Sequence, residues 1–130
     1  MAEEIKRLQW IVHKGVTIAR SDFRGLKGKE FVDQMHRNLS EILDRVGDGK
    51  RNLLMVSDFT DVPIIGDSYT EMRKVSETLA PHMIARAVLG VRGPKKFMLN
   101  AMNVLFDNSL RAFDSEKEAK EWLVERAVRR

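Results

Sequence analysis

The order of apolar segments predicts an α/β fold: a mixed, mostly parallel five-stranded sheet with an N-terminal antiparallel hairpin and four flanking helices. Two β-rich runs open the chain, and helical patterns then alternate with short apolar runs. Because a helix between two strands forms a right-handed crossover, the later strands should run parallel. At 130 residues the chain has enough length for one hydrophobic core, so we expect a single domain over residues 1–130.

The first three elements follow from turn chemistry and periodicity. The segments LQWIVH (Leu8–His13) and VTIARSD (Val16–Asp22) are separated by a Lys-Gly pair, in which glycine supplies the positive φ of a tight hairpin turn. Apolar residues then recur at three- and four-residue steps across residues 29–46. This spacing predicts an amphipathic helix that ends at the glycines of the following Gly-Asp-Gly segment.

A central strand and a second helix come next. The continuous apolar run at residues 53–56 is typical of a strand covered on both faces. Helical spacing over residues 69–79 predicts a helix whose first turn is capped by Asp67 or Ser68. Pro81 should end that helix, because the residue before a proline avoids helical geometry.

The last third of the chain repeats the alternation. Residues 86–91 predict another buried strand, and residues 94–106 a helix with proline at its first position. A short strand should follow at residues 110–113. Ser115, with Glu118 three residues later, then forms the capping box of a last helix.

Composition excludes several classes of protein. The chain has no cysteine, so disulfides and thiolate-bound metals are absent. Its net charge of +4 arises from 23 basic and 19 acidic residues that are interleaved, which does not favour nucleic-acid binding. No apolar stretch is long enough for an integral membrane segment, and the N-terminus lacks a signal-peptide pattern, so we expect a cytoplasmic protein.

Candidate polar residues cluster where the predicted strands end. Asp22 ends the second strand and Asp58 the third, followed by Thr60 and Asp61. Carboxylates that converge at the carboxyl edge of a sheet could bind magnesium, but such aspartates more often accept hydrogen bonds from the next loop. We therefore predict no catalytic residue, no metal site and no cofactor.

An apolar loop follows the central strand. Val62-Pro63-Ile64-Ile65 stands where loops are normally polar. Either the loop packs onto the edge of the sheet, or it leaves an exposed patch for dimerisation, a partner or an apolar ligand.

Four segments carry a resemblance to a known family: residues 16–26 (VTIARSDFRGL), 53–63 (LLMVSDFTDVP), 86–103 (RAVLGVRGPKKFMLNAMN) and 113–123 (FDSEKEAKEWL). With them the chain resembles the STAS-type domains, specifically the SpoIIAA-like branch of small bacterial proteins, which is also related to the lipid-carrying CRAL-TRIO fold. The resemblance implies a sheet flanked by helices, no enzyme activity, and a role in protein regulation or ligand sensing.

The resemblance also implies a candidate phosphoacceptor. Regulatory STAS domains carry a motif of the form DLSGVxxxDSSGL, against which DFTDVPIIGDSY can be laid with one inserted residue. Asp58 then matches the first aspartate, and Asp67-Ser68 matches the Asp-Ser pair, so that Ser68 takes the place of the phosphorylated serine. Tyr69 stands where the family has a second serine.

Two hypotheses on function follow. The first is a non-enzymatic regulatory module that binds a protein partner, which predicts an exposed Ile64 or Ile65 and leaves room for a homodimer. The alternative is a carrier or sensor of a small apolar or anionic, lipid-like ligand, which predicts an enclosed apolar cavity of about 300 Å³ or more. An enzyme has the least support. The residues expected to bind the partner or ligand are Asp22, Asp58, Thr60, Asp61, Ile64, Ile65, Ser68 and Tyr69.

Overall fold

The computed structural model describes residues 6–47, 51–93, 96, 99, 100, 103 and 109–129. In chain order its elements are β1 (Leu8–His13), β2 (Val16–Asp22), α1 (Gly28–Val46), β3 (Leu53–Asp58), α2 (Asp67–Leu79), β4 (Met83–Leu89), β5 (Leu110–Phe113) and α3 (Glu116–Arg129). A single 3₁₀ turn, Ala80–His82, links α2 to β4.

The five strands form one sheet in the order β1-β2-β3-β4-β5. β1 pairs antiparallel with β2, and the remaining neighbours pair in parallel. The predicted mixed sheet with its N-terminal hairpin is thus confirmed. Because the parallel strands share one direction, the carboxyl ends of β2 to β5 meet at the same edge, where Asp22, Asp58 and Leu89 are neighbours in register.

Three helices are described, whereas four were predicted. The helix expected at residues 94–106 lies largely outside the described residues, although residues 96, 99, 100 and 103 are helical. Within the part of the chain that the structure covers, no helix combines the length and the apolar character needed to cross a bilayer.

β3 ends at Asp58, as predicted. Two other details of the prediction were wrong. β4 covers Met83–Leu89 rather than residues 86–91. Neither Asp67 nor Ser68 caps α2, because the N-cap is Gly66 and no side chain bonds to the free N–H groups. At the start of α3, by contrast, the Ser115 hydroxyl accepts a hydrogen bond from the Glu118 N–H at 3.2 Å, as predicted.

The sheet is covered on both faces. Successive side chains of a strand point to opposite faces, and neighbouring Leu54 and Met55 of β3 accordingly belong to different apolar clusters. The larger cluster lies under α1 and α2 and includes three mutually packed rings, Phe23, Phe31 and Phe59. The smaller cluster lies under α3. Both clusters pack against the strands whose ends form the polar edge of the sheet.

Candidate functional site

A polar cleft of about 570 Å³ lies at the carboxyl edge of the sheet. Its walls come from the ends of the strands, from the loops that follow them and from the start of α3. We call it the carboxyl-edge cleft. Its lining residues are Arg20, Arg24, Asp58, Thr60, Asp61, Leu89, Gly90, Val91, Arg92, Phe113, Asp114 and Glu116. Three arginines and four carboxylates face one space, so the cleft suits a polar or ionic ligand rather than an apolar one.

Asp22 lies beneath the cleft and is bound by arginine. The Arg24 guanidinium donates to both carboxylate oxygens at 2.9 Å, and the Arg24 backbone N–H donates to Oδ1 at 3.1 Å. The guanidinium groups of Arg7 and Arg20 are 3.6 and 3.8 Å away. Burial by itself would raise the pKa of Asp22, but the hydrogen bonds and charge of Arg24, helped by Arg20, outweigh it and lower the pKa.

Asp58 shapes the loop that forms one wall. Its Oδ1 accepts hydrogen bonds from the Thr60 backbone N–H at 3.0 Å and from the Thr60 hydroxyl at 2.6 Å. The Asp58 side chain therefore acts as a loop-binding acceptor, the second of the two interpretations that the sequence left open. Among the described residues no three His, Asp or Glu side chains are grouped so that they could hold a metal ion.

Gly90 is required where this loop crosses the end of β4. Its φ is +77°, and a Cβ at this position would overlap the Thr60 backbone and hydroxyl. The Thr60 carbonyl in turn accepts the Gly25 N–H at 3.0 Å. Both the left-handed conformation and the close approach exclude a larger residue, so the loops after β2, β3 and β4 are held against one another.

The opposite wall is anchored by Glu116 at the start of α3. Glu116 Oε1 accepts from Arg20 Nε at 2.6 Å, and Oε2 lies 2.8 Å from Lys120 Nζ. Burial favours a higher pKa for Glu116, yet the hydrogen bonds from Lys120 and Arg20 lower it. Both Arg20 and Arg24 are thus paired. Arg92 is exposed, and no ion pair to it is found among the described residues.

The apolar loop divides into a buried and an exposed part. Val62 is 0 % and Ile64 4 % exposed, so the loop packs down onto the core. Ile65, by contrast, is 74 % exposed. Its backbone is fixed, because the Ile65 carbonyl accepts the Ser68 N–H at 3.1 Å. Ile65 is thus held in solvent by a loop that Val62 and Ile64 anchor to the core.

The predicted binding residues do not all meet at one place. Asp58, Thr60 and Asp61 line the carboxyl-edge cleft, with Asp22 bound below to Arg24. Ser68 is 8 % exposed, and the half-buried Tyr69 packs against the larger apolar cluster. These two residues, together with the buried Ile64, belong to the core side of α2 and its preceding loop.

Sequence reasoning missed Arg20 and Arg24. A signal for them was present, because they flank Asp22 at two-residue spacing in the segment VTIARSDFR. An arginine on each side of an aspartate at the end of a strand favours a charge cluster there. No local signal pointed to Glu116, which is 96 residues from Arg20 in the chain.

Comparison with solved structures identifies the fold. The chain superposes with a TM-score of 0.69 on the crystal structure of an uncharacterized protein from the DUF3478 family with a SpoIIAA-like fold, from Shewanella loihica PV-4. The alignment covers 95% of this chain and 98% of the other, at 13% sequence identity. This chain has a SpoIIAA-like fold. No protein-family profile matches it, and no curated protein is similar in sequence. The SpoIIAA-like fold expected from the sequence is therefore confirmed.

Proposed function

We propose that this SpoIIAA-like chain is a non-enzymatic regulatory module of the STAS type that binds a protein partner at its carboxyl edge. The observation that carries the proposal is the exposure of Ile65, at 74 %, on a loop anchored by buried Val62 and Ile64. An isoleucine held in water by a fixed backbone loses little conformational entropy on docking, which favours a binding contact.

The carboxyl-edge cleft offers a charged contact as well. Arg20 and Arg24 are neutralised within the carboxyl-edge cleft by Glu116 and Asp22, whereas Arg92 is exposed at its rim. Because no ion pair to Arg92 is found among the described residues, its guanidinium is available for a bidentate contact with an acidic side chain. The proposed partner therefore presents an apolar side chain to Ile65 and an acidic side chain to Arg92.

A site-directed photo-crosslinking experiment tests the proposal. A photoreactive phenylalanine analogue is placed at position 65, and in a second version at position 128, in cells that naturally express the protein. Val128 is the matched control, since it is 77 % exposed but lies in α3. We expect a discrete adduct from position 65 that is absent from position 128. Equal adducts from both positions, or none from position 65, would contradict the proposal.

The adduct also permits a quantitative test. Once mass spectrometry has identified the crosslinked protein, its affinity for the purified chain is measured by calorimetry. Ile65→Asp and Arg92→Glu should each weaken binding by about tenfold or more, as expected for contact residues that lose more than about 1.4 kcal/mol. Arg37→Glu, an exposed arginine on α1, should leave the affinity unchanged.

A second function is favoured by the cleft itself. Its volume of about 570 Å³ falls in the range of small-molecule sites, and the Arg92 guanidinium offers a contact for an anionic group of a ligand. Among the described residues, the two small cavities that border the core have about 10 Å³ each, too little for an apolar cargo. Carriage would therefore concern a small anionic ligand in the open cleft.

Native mass spectrometry distinguishes this second function from the first. The purified protein is measured under gentle conditions and again after denaturation. A mass that is lost on denaturation, and is also absent from Arg92→Glu, would support a ligand held in the cleft. A clean protein mass under gentle conditions would contradict tight carriage and leave partner binding as the proposal.

A further inference from the structure

Arg86 carries a positive charge inside the core. It lies in β4 and is 7 % exposed, between the sheet and α2. Its Nε donates to the Ser57 hydroxyl at 3.3 Å and its Nη1 to the Ser76 hydroxyl at 2.9 Å. Its Cζ lies 5.7 Å from the ring centroid of Phe59. The two hydroxyls accept hydrogen bonds from the guanidinium, and the ring packs near it, but none of these groups carries a negative charge.

No carboxylate in the described part of the chain forms an ion pair with Arg86. Burial lowers the pKa of Arg86 to about 10, which still leaves the guanidinium protonated at neutral pH. A buried cation without a counter-charge destabilises the fold, because no attraction to an anion offsets the free energy of its desolvation. Within the described residues, Arg86 therefore lacks the carboxylate partner that a buried guanidinium normally has.

Two small cavities lie against this cation. Each has a volume of about 10 Å³, and Arg86 and Ser76 border both. A space of this size accommodates about one water-sized occupant. Because the Ser76 hydroxyl accepts a hydrogen bond from Arg86, its own proton is available as a second donor toward such an occupant.

We propose that Arg86 and Ser76 form a buried binding site for a single chloride-sized monovalent anion. The guanidinium supplies charge and N–H donors, the serine supplies an O–H donor, and the size of the cavities excludes a polyatomic carboxylate ligand. An anion neutralises the buried charge, which a water molecule cannot do. The site is distinct from the carboxyl-edge cleft, which neither residue lines.

The Arg86 site is also connected to the carboxyl edge of the sheet through Phe59. Phe59, whose ring faces the Arg86 guanidinium, directly precedes Thr60, and its backbone N–H donates to the Leu89 carbonyl at 2.9 Å. Occupancy by an anion would therefore stabilise the end of β3 and the loop that forms the cleft wall.

The test is chemical unfolding of the full chain at increasing sodium bromide, with sodium gluconate keeping the ionic strength constant. Gluconate is too large for the cavities. Because only the folded chain has the site, a plot of the logarithm of the folding equilibrium constant against the logarithm of bromide concentration should approach a slope of one above the dissociation constant. A slope of zero in the wild-type protein would overturn the proposal.

Substitutions of Arg86 and Ser76 test whether these two residues form the anion site. Arg86→Met should abolish the bromide dependence, while Arg37→Met, a variant of an exposed arginine, should keep the slope of one. If Arg86→Met does not fold, Ser76→Ala retains the charge and should raise the bromide dissociation constant by about tenfold, the loss of one hydrogen bond. An unchanged dissociation constant in Ser76→Ala, or an unchanged slope in Arg86→Met, would place any bound bromide elsewhere and refute the assignment.

A direct observation completes the test. Crystals grown in sodium bromide should give one anomalous scattering peak within hydrogen-bond reach of the Arg86 guanidinium. Density in the cavities without anomalous signal would identify water and overturn the proposal.

Discussion

The Arg24 guanidinium holds the Asp22 carboxylate at two points, with Nε–Oδ1 and Nη2–Oδ2 distances of 2.9 Å each. Asp22 is 3 % exposed, whereas more than half of the Arg24 side chain is in solvent. The pair therefore closes the end of β2 from outside and leaves the arginine on the wall of the carboxyl-edge cleft. The Asp22 carboxylate therefore has a structural role. Because its pKa is lowered in the folded protein, the stability that it contributes should be lost at acid pH.

Replacing Asp22 with asparagine should lower the free energy of unfolding by about 1–3 kcal/mol at neutral pH, because the arginines lose a charged acceptor. The pKa of Asp22 is lowered in the folded protein from its ordinary value of 3.8. Below that value the unfolded chain takes up a proton before the folded protein does, so the difference between wild type and Asp22→Asn should shrink as the pH falls. Urea unfolding between about pH 7 and about pH 3 measures it.

Asp44 provides the control for this pH profile. It is exposed on α1, and Asp44→Asn should leave the free energy of unfolding within about 0.5 kcal/mol of wild type at each pH. A difference between wild type and Asp22→Asn that stays constant through the acid range would contradict the assigned ion pair.

Gly90→Ala should destabilise the protein more than the same change at Gly15. Both glycines have nearly the same positive φ, +77° and +78°, but only at Gly90 would a Cβ overlap Thr60. The two variants share the conformational strain, so the difference between their free energies of unfolding isolates the overlap, about 1–3 kcal/mol. Equal losses of stability in the two variants would show that the loop after β3 moves away from the added Cβ at no cost in free energy.

Ile64→Ala and Ile65→Ala should have opposite outcomes although the residues are adjacent. Ile64 is 4 % exposed and Ile65 is 74 % exposed. We expect a loss of about 2–5 kcal/mol for Ile64→Ala, since it leaves a cavity in the core, and less than about 0.5 kcal/mol for Ile65→Ala. Thermal and urea unfolding of both variants measures this. Similar losses would mean that the loop does not separate the two side chains as described.

Ser68→Asp should destabilise the fold although it places a negative charge near a helix N-terminus. Ser68 is 8 % exposed in the first turn of α2, so the added carboxylate loses hydration, at a cost of about 1–3 kcal/mol. The favourable interaction of the carboxylate with the helix dipole offsets only about 0.3–1 kcal/mol of this cost. Thr70→Asp, exposed on the same turn, should be nearly neutral. A Ser68→Asp variant as stable as Thr70→Asp would contradict this, because it would show that the position accommodates a negative charge.

The strands whose limits follow from local chemistry were predicted with their correct ends. β1, β2 and β5 begin and end where the hairpin glycine and the apolar runs indicate. β3 extends two residues further than its apolar run, because Ser57 and Asp58 pair with both neighbouring strands and are buried there. Hydrophobicity alone cannot identify polar residues that a sheet covers on both faces.

The candidate site was predicted only in its short-range part. Asp22 and Asp58 stand at strand ends as expected, and their main partners, Arg24 and Thr60, follow each of them by two residues. The Arg20 to Glu116 pair joins opposite ends of the chain. It depends on how α3 returns to the sheet, which no local pattern encodes.

The amino-acid sequence by itself determined the succession of strands and helices along the chain, the hairpin, the parallel crossovers and the position of the carboxylates at the sheet edge, because periodicity and turn chemistry act over a few residues. Only the tertiary structure decided that Ile64 is buried and Ile65 exposed, and that Arg86 lies in the core. Burial is a property of the assembled layers: the same side chain is a surface group or a core group according to what packs on it, and that packing comes from residues distant in the chain.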